Sequence, residues 1–261
     1  MERRTYKNGV TLVGSSEGPV AFAFTERTGG VSHPPFSSLN LGTHVGDDPA
    51  AVGENRRRVL EALGCEDALC HLIVPNQVHG DHVAVVRSPD EEALDAVRAE
   101  VADGADAVVC TLPGVPVLLC FADCVPVLLT CERGFAVVHS GWKGTIAGIA
   151  AKAARVLAQE TGAAPREIRA YIGPHITGAE YEVSTELIER FAERFPGVVA
   201  PGPSRLLDLA ACIRAALGEA GVPAENVCDP DLSTVRENDR FFSYRAEQGR
   251  CGRHGAVAIM R

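Results

Sequence analysis

Two histidines and one cysteine stand out as residues of this chain that could do chemistry. His79 follows the segment Asn-Gln-Val, Cys124 follows an apolar run and Asp123, and His139 ends a second apolar run. Metal ligands at the ends of buried strands are hard to explain by packing alone. Cysteine thiolate and neutral imidazole are preferred zinc donors, and three protein ligands leave a fourth position open to water. We therefore predict one catalytic zinc site formed by His79, Cys124 and His139.

Each of the three residues also has an ordinary explanation. His79 in a Gly-flanked turn could simply be exposed, Cys124 could be a buried thiol, and His139 could end a strand without further role. Their joint occurrence at strand ends favours the metal site. Asp123, beside Cys124, could hold a ligating histidine or carry a proton in catalysis. It could equally be a buried carboxylate that caps the turn before Pro126, and both interpretations stay open.

Cationic and aromatic residues near these candidates indicate where a substrate could bind. Lys143 lies in the Gly-Trp-Lys-Gly-Thr segment that opens a helix, and helix N-termini attract anions. An ordinary helix start capped by Thr145 is the alternative. Arg27 opens a Gly-rich loop that also carries His44. Residues 241–245 set aromatic rings beside a cation, which suits base stacking and phosphate binding, although a core-facing strand would explain the same composition.

The composition restricts the kinds of protein that this chain can be. The 261 residues are 46% hydrophobic, which is enough for a sizeable core. The net charge of −9 argues against a nucleic-acid-binding surface. The N-terminus lacks the apolar core of a signal peptide, and no apolar run reaches the length of a membrane span. Nine cysteines without a CxxC pair fit free thiols in a reducing compartment. We expect a cytoplasmic monomer that binds neither nucleic acid nor membrane.

Apolar runs of strand length must position the candidate residues. We predict strands at 10–13, 20–24, 71–74, 83–86, 106–110, 115–121, 125–130, 135–139, 168–173, 226–228 and 256–260. Helical spacing predicts helices at 49–63, 90–101, 144–160, 184–195 and 206–220. Residues 27–46 form a long loop of the kind that often carries function. Strands and helices mix without strict alternation, so the predicted fold class is α/β with a mixed sheet, as a single domain over 1–261.

Short segments spread over the whole chain resemble one family, the YfiH-like or laccase-domain proteins, also called polyphenol oxidases or multifunctional purine nucleoside enzymes. The matching segments occur in one order: Arg27-Thr-Gly-Gly-Val-Ser32, Ser38-Leu-Asn-Leu-Gly42, His44-Val-Gly46, Glu54-Asn-Arg56, Gln77-Val-His-Gly80, Ala105-Asp-Ala107, Ala122-Asp-Cys-Val-Pro126, His139-Ser-Gly-Trp-Lys-Gly-Thr145, Ile172-Gly-Pro174, Tyr181-Glu-Val183 and Phe241-Phe-Ser-Tyr-Arg245.

The resemblance implies an α/β sandwich-like fold with zinc on His79, Cys124 and His139. It implies phosphorolysis of adenosine, inosine, guanosine and methylthioadenosine, and deamination of adenosine. We expect Asp123 to take part in catalysis. The expected substrate contacts are Arg27, Asn40, His44, Lys143, Phe242, Tyr244 and Arg245, and we expect Arg27 and Lys143 to hold phosphate. The chain departs from the family pattern at His175, Ser233 and Ala246, none of which is a proposed zinc ligand.

Three other functions remain open from the sequence. Thiolate and imidazole also bind copper, so a copper-dependent polyphenol oxidoreductase is one alternative, although the chain lacks the repeated His-x-His pairs of multicopper oxidases. A cysteine-type amide hydrolase acting on cell-wall precursors, with Cys124 as nucleophile, is the second. A binding module without catalytic activity is the third.

Overall fold

The computed structural model describes residues 1–200, 202 and 204–261. In this part of the chain the strands are β1 (Glu2–Thr5), β2 (Thr11–Ser15), β3 (Val20–Thr25), β4 (Val83–Val86), β5 (Ala107–Cys110), β6 (Val117–Phe121), β7 (Val125–Cys131), β8 (Gly134–Ser140), β9 (Arg169–Ile172), β10 (Val227–Cys228) and β11 (His254–Met260). The helices are α1 (Pro49–Leu63), α2 (Glu91–Gly104), α3 (Trp142–Ala147), α4 (Ile149–Thr161), α5 (Thr185–Arg194) and α6 (Leu209–Glu219).

The strands form two sheets. The first has the order β1-β2-β3-β11-β6, and all its neighbours are antiparallel. The second has the order β10-β9-β7-β8-β5-β4, with parallel pairs at both ends and antiparallel pairs between them. The chain passes from the first sheet to the second between β6 and β7, over residues 122–124. That crossing carries Asp123 and Cys124.

Alternating side chains bury both faces of each sheet. On β6, Leu119 and Phe121 point between the sheets, whereas Leu118 and Cys120 point toward α1. On the second sheet, β7 and β8 send one set of side chains between the sheets and the other against α4, α5 and α6. The layers are therefore helix, sheet, sheet and helices. This arrangement confirms the predicted α/β class with a mixed sheet.

Most predicted elements occur close to their expected bounds. Helix α1 begins where Asp48 accepts a hydrogen bond from the Ala50 N–H and Pro49 starts the first turn, and it ends at Gly64 with φ 72°. Those are the end signals that the sequence carries. The prediction of a single domain over the whole chain stays a prediction.

Three elements differ from the prediction. The helix expected at 144–160 is two helices, α3 and α4, because Gly148 has φ 76° and interrupts the helical backbone. The strand expected at 71–74 is instead the end of a short 3₁₀ helix followed by a single bridge from Ile73 to Val117. Strand β1 was not predicted, because its four residues are exposed and carry no apolar pattern.

The helices are also short or polar. Within the part of the chain that the structure describes, none has the length and hydropathy needed to cross a membrane.

Candidate metal centre and its cavity

Strand register brings the three predicted ligands to one edge of the second sheet. Pro126 near the start of β7 pairs with His139 near the end of β8, so Cys124 lies beside His139. The start of β5 pairs with the end of β8, and the start of β4 pairs with the start of β5. The loop that precedes β4 and carries His79 therefore reaches the same edge.

The three side chains meet there. Their ligand atoms all lie within 4.8 Å of one another. The rings of His79 and His139 make an edge-to-face contact with centroids 4.8 Å apart. His139 is buried, Cys124 is half-buried and His79 is exposed, so the cluster is open on one side. Two imidazoles and a thiolate with an open side can hold a transition-metal ion such as zinc or copper.

One buried carboxylate organises the cluster. Asp106 Oδ1 accepts hydrogen bonds from His139 Nδ1 at 2.7 Å and from the His79 N–H at 2.9 Å. Its Oδ2 accepts from the N–H groups of Gly80 at 2.7 Å and Val78 at 3.2 Å. Asp106 thus fixes the ring of one predicted ligand and the backbone of the other, and it leaves Nε2 of His139 to face the cluster. Partners of this kind orient metal ligands.

Asp123 does not hold a ligating histidine, which corrects one of the roles predicted for it. Asp123 Oδ1 accepts from the Thr234 hydroxyl and Oδ2 accepts from the Arg245 N–H, both at 2.6 Å. Both of its oxygens are therefore engaged in holding the C-terminal segment against the β6–β7 crossing. Asp123 lines the cavity beside the cluster, but the carboxylate bonded to His139 is that of Asp106.

Close approach of the backbone also shapes the cluster. Gly141 follows β8, and a Cβ at this position would stand 3.1 Å from Cys124 Sγ and 3.2 Å from His79 Cδ2. His79 and Asp123 have positive φ angles of 60° and 89°. Non-glycine residues in that conformation are uncommon and concentrate at functional sites.

The electrostatics of the cluster favour a thiolate. Burial opposes ionisation of Cys124, but the nearby His139 and His79 rings together lower the pKa of its thiol below the usual value. Burial likewise opposes protonation of His139, yet Cys124 and Asp106 raise the pKa of its ring. Both shifts favour a thiolate–imidazolium pair in the metal-free protein. A thiolate is also the form that binds metals.

The cluster opens into a cavity of about 560 Å³. That volume is within the range of small-molecule sites. The cavity combines the metal-type donors, an apolar and aromatic wall, and two guanidinium groups. Its lining residues are His44, Gln77, His79, Cys120, Ala122, Asp123, Cys124, His139, Ile176, Tyr181, Tyr244, Arg245 and Arg253.

The structure brings some of the expected substrate contacts to this cavity and not others. His44, Tyr244 and Arg245 line it. Arg27 instead pairs with Glu247 at 3.1 Å and lies over the ring of Phe242, which is fully buried.

Two further expected contacts also lie elsewhere. Asn40 is fully buried and makes hydrogen bonds within its loop. Lys143 is exposed and lies 5.6 Å from the centroid of the Trp142 ring.

Several lining or positioning residues escaped prediction. Asp106 and Tyr181 fall inside motifs of the family resemblance, Ala105-Asp-Ala107 and Tyr181-Glu-Val183, but nothing in either motif indicated its role. Gln77 adjoins the predicted ligand motif, and its amide exchanges two hydrogen bonds with the backbone of Cys120. Arg253 carried no sequence signal.

Comparisons with known proteins identify one family and one fold for this chain. A family model described as multi-copper polyphenol oxidoreductase laccase matches residues 21–261. A purine nucleoside phosphorylase of Corynebacterium glutamicum is 37% identical over 243 residues, covering 92% of this chain and 94% of that protein. One of Streptomyces griseus is 38% identical over 235 residues, covering 88% and 91%.

Solved structures of the same fold are also similar. The crystal structure of YlmD from Geobacillus stearothermophilus superposes with a TM-score of 0.86 at 30% identity, covering 99% of this chain and 98% of that one. A Bacillus licheniformis protein described as hypothetical protein YfiH gives the same TM-score at 31% identity, with 99% of both chains covered. The predicted YfiH-like fold is thereby confirmed.

Proposed function

This chain belongs to the family described as multi-copper polyphenol oxidoreductase laccase, and from that premise we propose that it is a purine nucleoside phosphorylase acting in the cavity beside His79, Cys124 and His139. One observation carries the proposal: a single cavity joins metal-type donors, an aromatic wall and guanidinium groups. The aromatic wall can stack on the purine base, the guanidinium groups can bind the attacking phosphate, and a metal on the donors can assist the departure of the base. The names of the curated relatives support the same activity.

We propose zinc as the resident metal, held by His79, Cys124 and His139. The donor set fits, because it combines a thiolate with two imidazoles and because Asp106 already holds His139 in one orientation. Bound there, zinc would supply a Lewis acid next to the reacting atoms. Copper suits the same donors and is the alternative metal.

The phosphorolysis balances without any further reactant. A phosphate oxygen forms a bond to C1′ of the ribose while the bond from C1′ to the purine nitrogen breaks. The electron pair of that bond leaves with the base, which gains the proton that phosphate loses. The products are the free purine and ribose 1-phosphate. The protein must therefore hold phosphate and sugar in line and offer donors to the departing base.

The wall formed by Ile176, Tyr181 and Tyr244 suits the purine ring. Ile176 is buried and Tyr181 is half-buried, whereas Tyr244 is exposed at the rim. Burial, with the neighbouring Cys124 and Asp123, raises the pKa of the Tyr181 hydroxyl above its usual value. That hydroxyl therefore stays protonated near neutral pH and can donate a hydrogen bond to the base.

We propose adenosine, inosine, guanosine and methylthioadenosine as substrates, and conversion of adenosine and water to inosine and ammonia as a second activity. The family resemblance supports both proposals. The open side of the cluster at His79 gives a water or a substrate atom access to the metal position.

Product analysis by chromatography tests this function. Zinc-loaded protein is incubated with adenosine, with and without phosphate, beside a Cys124→Ala variant. We expect adenine only with phosphate, inosine without it, and neither from the variant. Equal turnover by Cys124→Ala, or no turnover of any purine nucleoside by fully zinc-loaded protein, would contradict the proposal.

A second function is favoured by one observation. Cys124, His139 and Asp106 form a chain of thiol, imidazole and carboxylate, which is also the arrangement of cysteine hydrolases. A hydrolase of amide bonds would use Cys124 as its nucleophile and no metal. Metal-free protein separates the two functions: chelation of zinc should abolish phosphorolysis, whereas a hydrolase should stay active without metal and then be inactivated when iodoacetamide alkylates Cys124.

The family description also names multi-copper chemistry. Among the residues that the structure describes, one group of three metal-type donors meets in space. A centre of several copper ions needs more donors than this group offers, so the geometry favours the phosphorylase. Copper-dependent oxygen uptake with a phenol would reverse that preference.

A further inference from the structure

Two guanidinium groups line the cavity without a carboxylate partner. Neither Arg245 nor Arg253 forms an ion pair with an acidic residue in the described part of the chain. Arg253 Nη1 donates instead to the carbonyls of Cys251 and Gly252, both at 2.9 Å. Arg27, by contrast, is neutralised by Glu247. Its Nη1 also lies 3.4 Å from the Cys251 sulfur. In a chain with 34 acidic residues, a half-buried arginine on a cavity wall whose side-chain partners are two carbonyls and a thiol is not neutralised by a carboxylate and can pair with an anionic ligand.

Two more basic side chains gather around Arg253. His44 lies at the cavity wall, and Gly42 separates the two: a Cβ at Gly42 would stand 2.9 Å from Arg253 Cγ and 3.2 Å from His44 Cε1. Behind them, Arg56 donates from Nε and Nη2 to the Leu41 carbonyl at 3.0 and 2.8 Å. Partial burial, with the charges of Arg253 and Arg56, lowers the pKa of His44. His44 is therefore neutral near pH 7 and offers one N–H donor.

A buried amide network fixes this wall before any ligand binds. Asn40 Oδ1 accepts from the Arg253 N–H at 2.8 Å and from the Gly42 N–H at 3.1 Å. Asn55 Nδ2 donates to the Asn40 carbonyl at 2.8 Å. Both amides are fully buried. The backbone positions of Arg253 and of the loop that carries His44 are thus tied together, which is the preorganisation that an oxyanion site requires.

We propose that Arg253 and His44, with Arg56 behind them, form the subsite that binds the attacking phosphate. The inference rests on the proposed phosphorylase function and moves phosphate away from Arg27 and Lys143, which lie outside the cavity lining. The fork of Arg253 supplies paired donors and a full charge, and His44 supplies a neutral donor. The ligand is a tetrahedral phosphate group, and we assign it to free inorganic phosphate and not to a phosphate ester of the substrate.

The kinetic test uses full-length, zinc-loaded protein and an Arg253→Met variant. Inosine phosphorolysis is measured against phosphate at saturating inosine and then against inosine at saturating phosphate. We expect the KM for phosphate to rise about 10- to 100-fold, as loss of a charged hydrogen-bonding partner predicts. The KM for inosine and the bound zinc should change little. Arg250→Met is the matched control, because Arg250 is exposed and lies outside the cavity lining.

Calorimetric titration tests the subsite independently of turnover. Wild-type protein should bind inorganic phosphate, Arg253→Met should bind it weakly or not at all, and His44→Gln should give an intermediate loss. An unchanged KM and unchanged phosphate binding in a folded, zinc-loaded Arg253→Met protein would overturn the subsite. Binding of inosine 5′-monophosphate but not of free phosphate would also overturn it. If the wild type binds phosphate through Arg253 and yet cleaves no nucleoside, the proposed function fails and the subsite stands.

Discussion

His139 and His254 are both buried and both contact Phe121, but their chemical surroundings differ. Their ring centroids lie 5.4 and 6.3 Å from that of Phe121. His139, near the end of β8, has the Asp106 carboxylate on one nitrogen and the Cys124 thiol nearby. His254, at the start of β11, also packs against Phe241 at 5.7 Å, and neither of its nitrogens has a hydrogen-bond partner among the described residues.

The two rings therefore have opposite acid–base behaviour. Burial disfavours the charged form of both, but Cys124 and Asp106 raise the pKa of His139. At His254, burial together with the Arg253 and Arg27 charges lowers the pKa to about 3; the Pro174 carbonyl opposes this without completing a hydrogen bond. Burial alone thus produces a neutral packing histidine. A charged partner raises the basicity of a buried histidine and fixes its ring, so that its other nitrogen can take up a proton or bind a metal.

Replacing the two histidines should give the largest difference. We expect His139→Ala to lose phosphorolysis by a factor on the order of 10³, because it removes a ligand of the proposed zinc ion, which would supply several kcal/mol of transition-state stabilisation. His254→Leu should retain most of its activity, since the ring lies outside the cavity lining. Initial rates with inosine and zinc analysis of both variants measure this contrast. Comparable losses in two folded proteins would remove the functional distinction between the rings.

The Asp106→Asn variant keeps His139 but removes its charged partner, so it tests what that carboxylate contributes. The amide cannot accept from His139 and from three backbone N–H groups together, so the ring and the His79 loop lose their fixed orientation. We expect zinc affinity to fall about 10- to 100-fold. Titration against a competing chelator measures it.

Excess zinc distinguishes positioning from direct catalysis in this variant. A positioning role predicts that activity recovers when the site is saturated with zinc. Asp103→Asn is the matched control, because Asp103 is exposed and lies three residues away. Wild-type zinc affinity in the Asp106 variant would show that the carboxylate does not orient the ligands.

The metal-type cluster and the carboxylate that orients it differ in how well the sequence predicted them. His79, Cys124 and His139 were recognisable because metal-type side chains at strand ends are rare, and because antiparallel register brings strand ends together. Asp106 was not recognised, since its function depends on hydrogen bonds to residues 26 to 33 positions away. Continuous apolar runs predicted most of the strands of both sheets without giving their order.

The residues considered for phosphate binding also show what the local sequence could not reveal. Arg27 resembled an anion-binding residue in sequence, but Glu247, 220 positions away, neutralises it. Arg253 has no distinctive neighbours in the sequence, and only the folded loop through Asn40 brings it to the cavity. Whether an arginine is available for a ligand is decided by its tertiary partners, which local sequence does not contain.

The last contrast between the two histidines lies in the pH dependence of stability, to which His254 should contribute. Its folded pKa of about 3 lies below the ordinary value of 6.5. As the pH falls through 6.5, the unfolded state takes up a proton that the folded state refuses, so stability falls. The contribution is fully present above that pH. Between pH 7 and pH 5 the wild type should lose about 2 kcal/mol more than a variant without the group.

His254→Phe removes the titrating group and keeps an aromatic ring between Phe121 and Phe241. Urea unfolding of metal-free wild-type and variant proteins at pH 7 and pH 5 gives the two changes in free energy, and the titration of His79, Cys124 and His139 is common to both. His254→Leu serves as a second variant, in case the larger ring is poorly accommodated. Both variants should lose less stability than the wild type. An equal loss in all three proteins would mean that the pKa of His254 is not lowered in the folded state, and the contrast with His139 would then rest on hydrogen-bond partners alone.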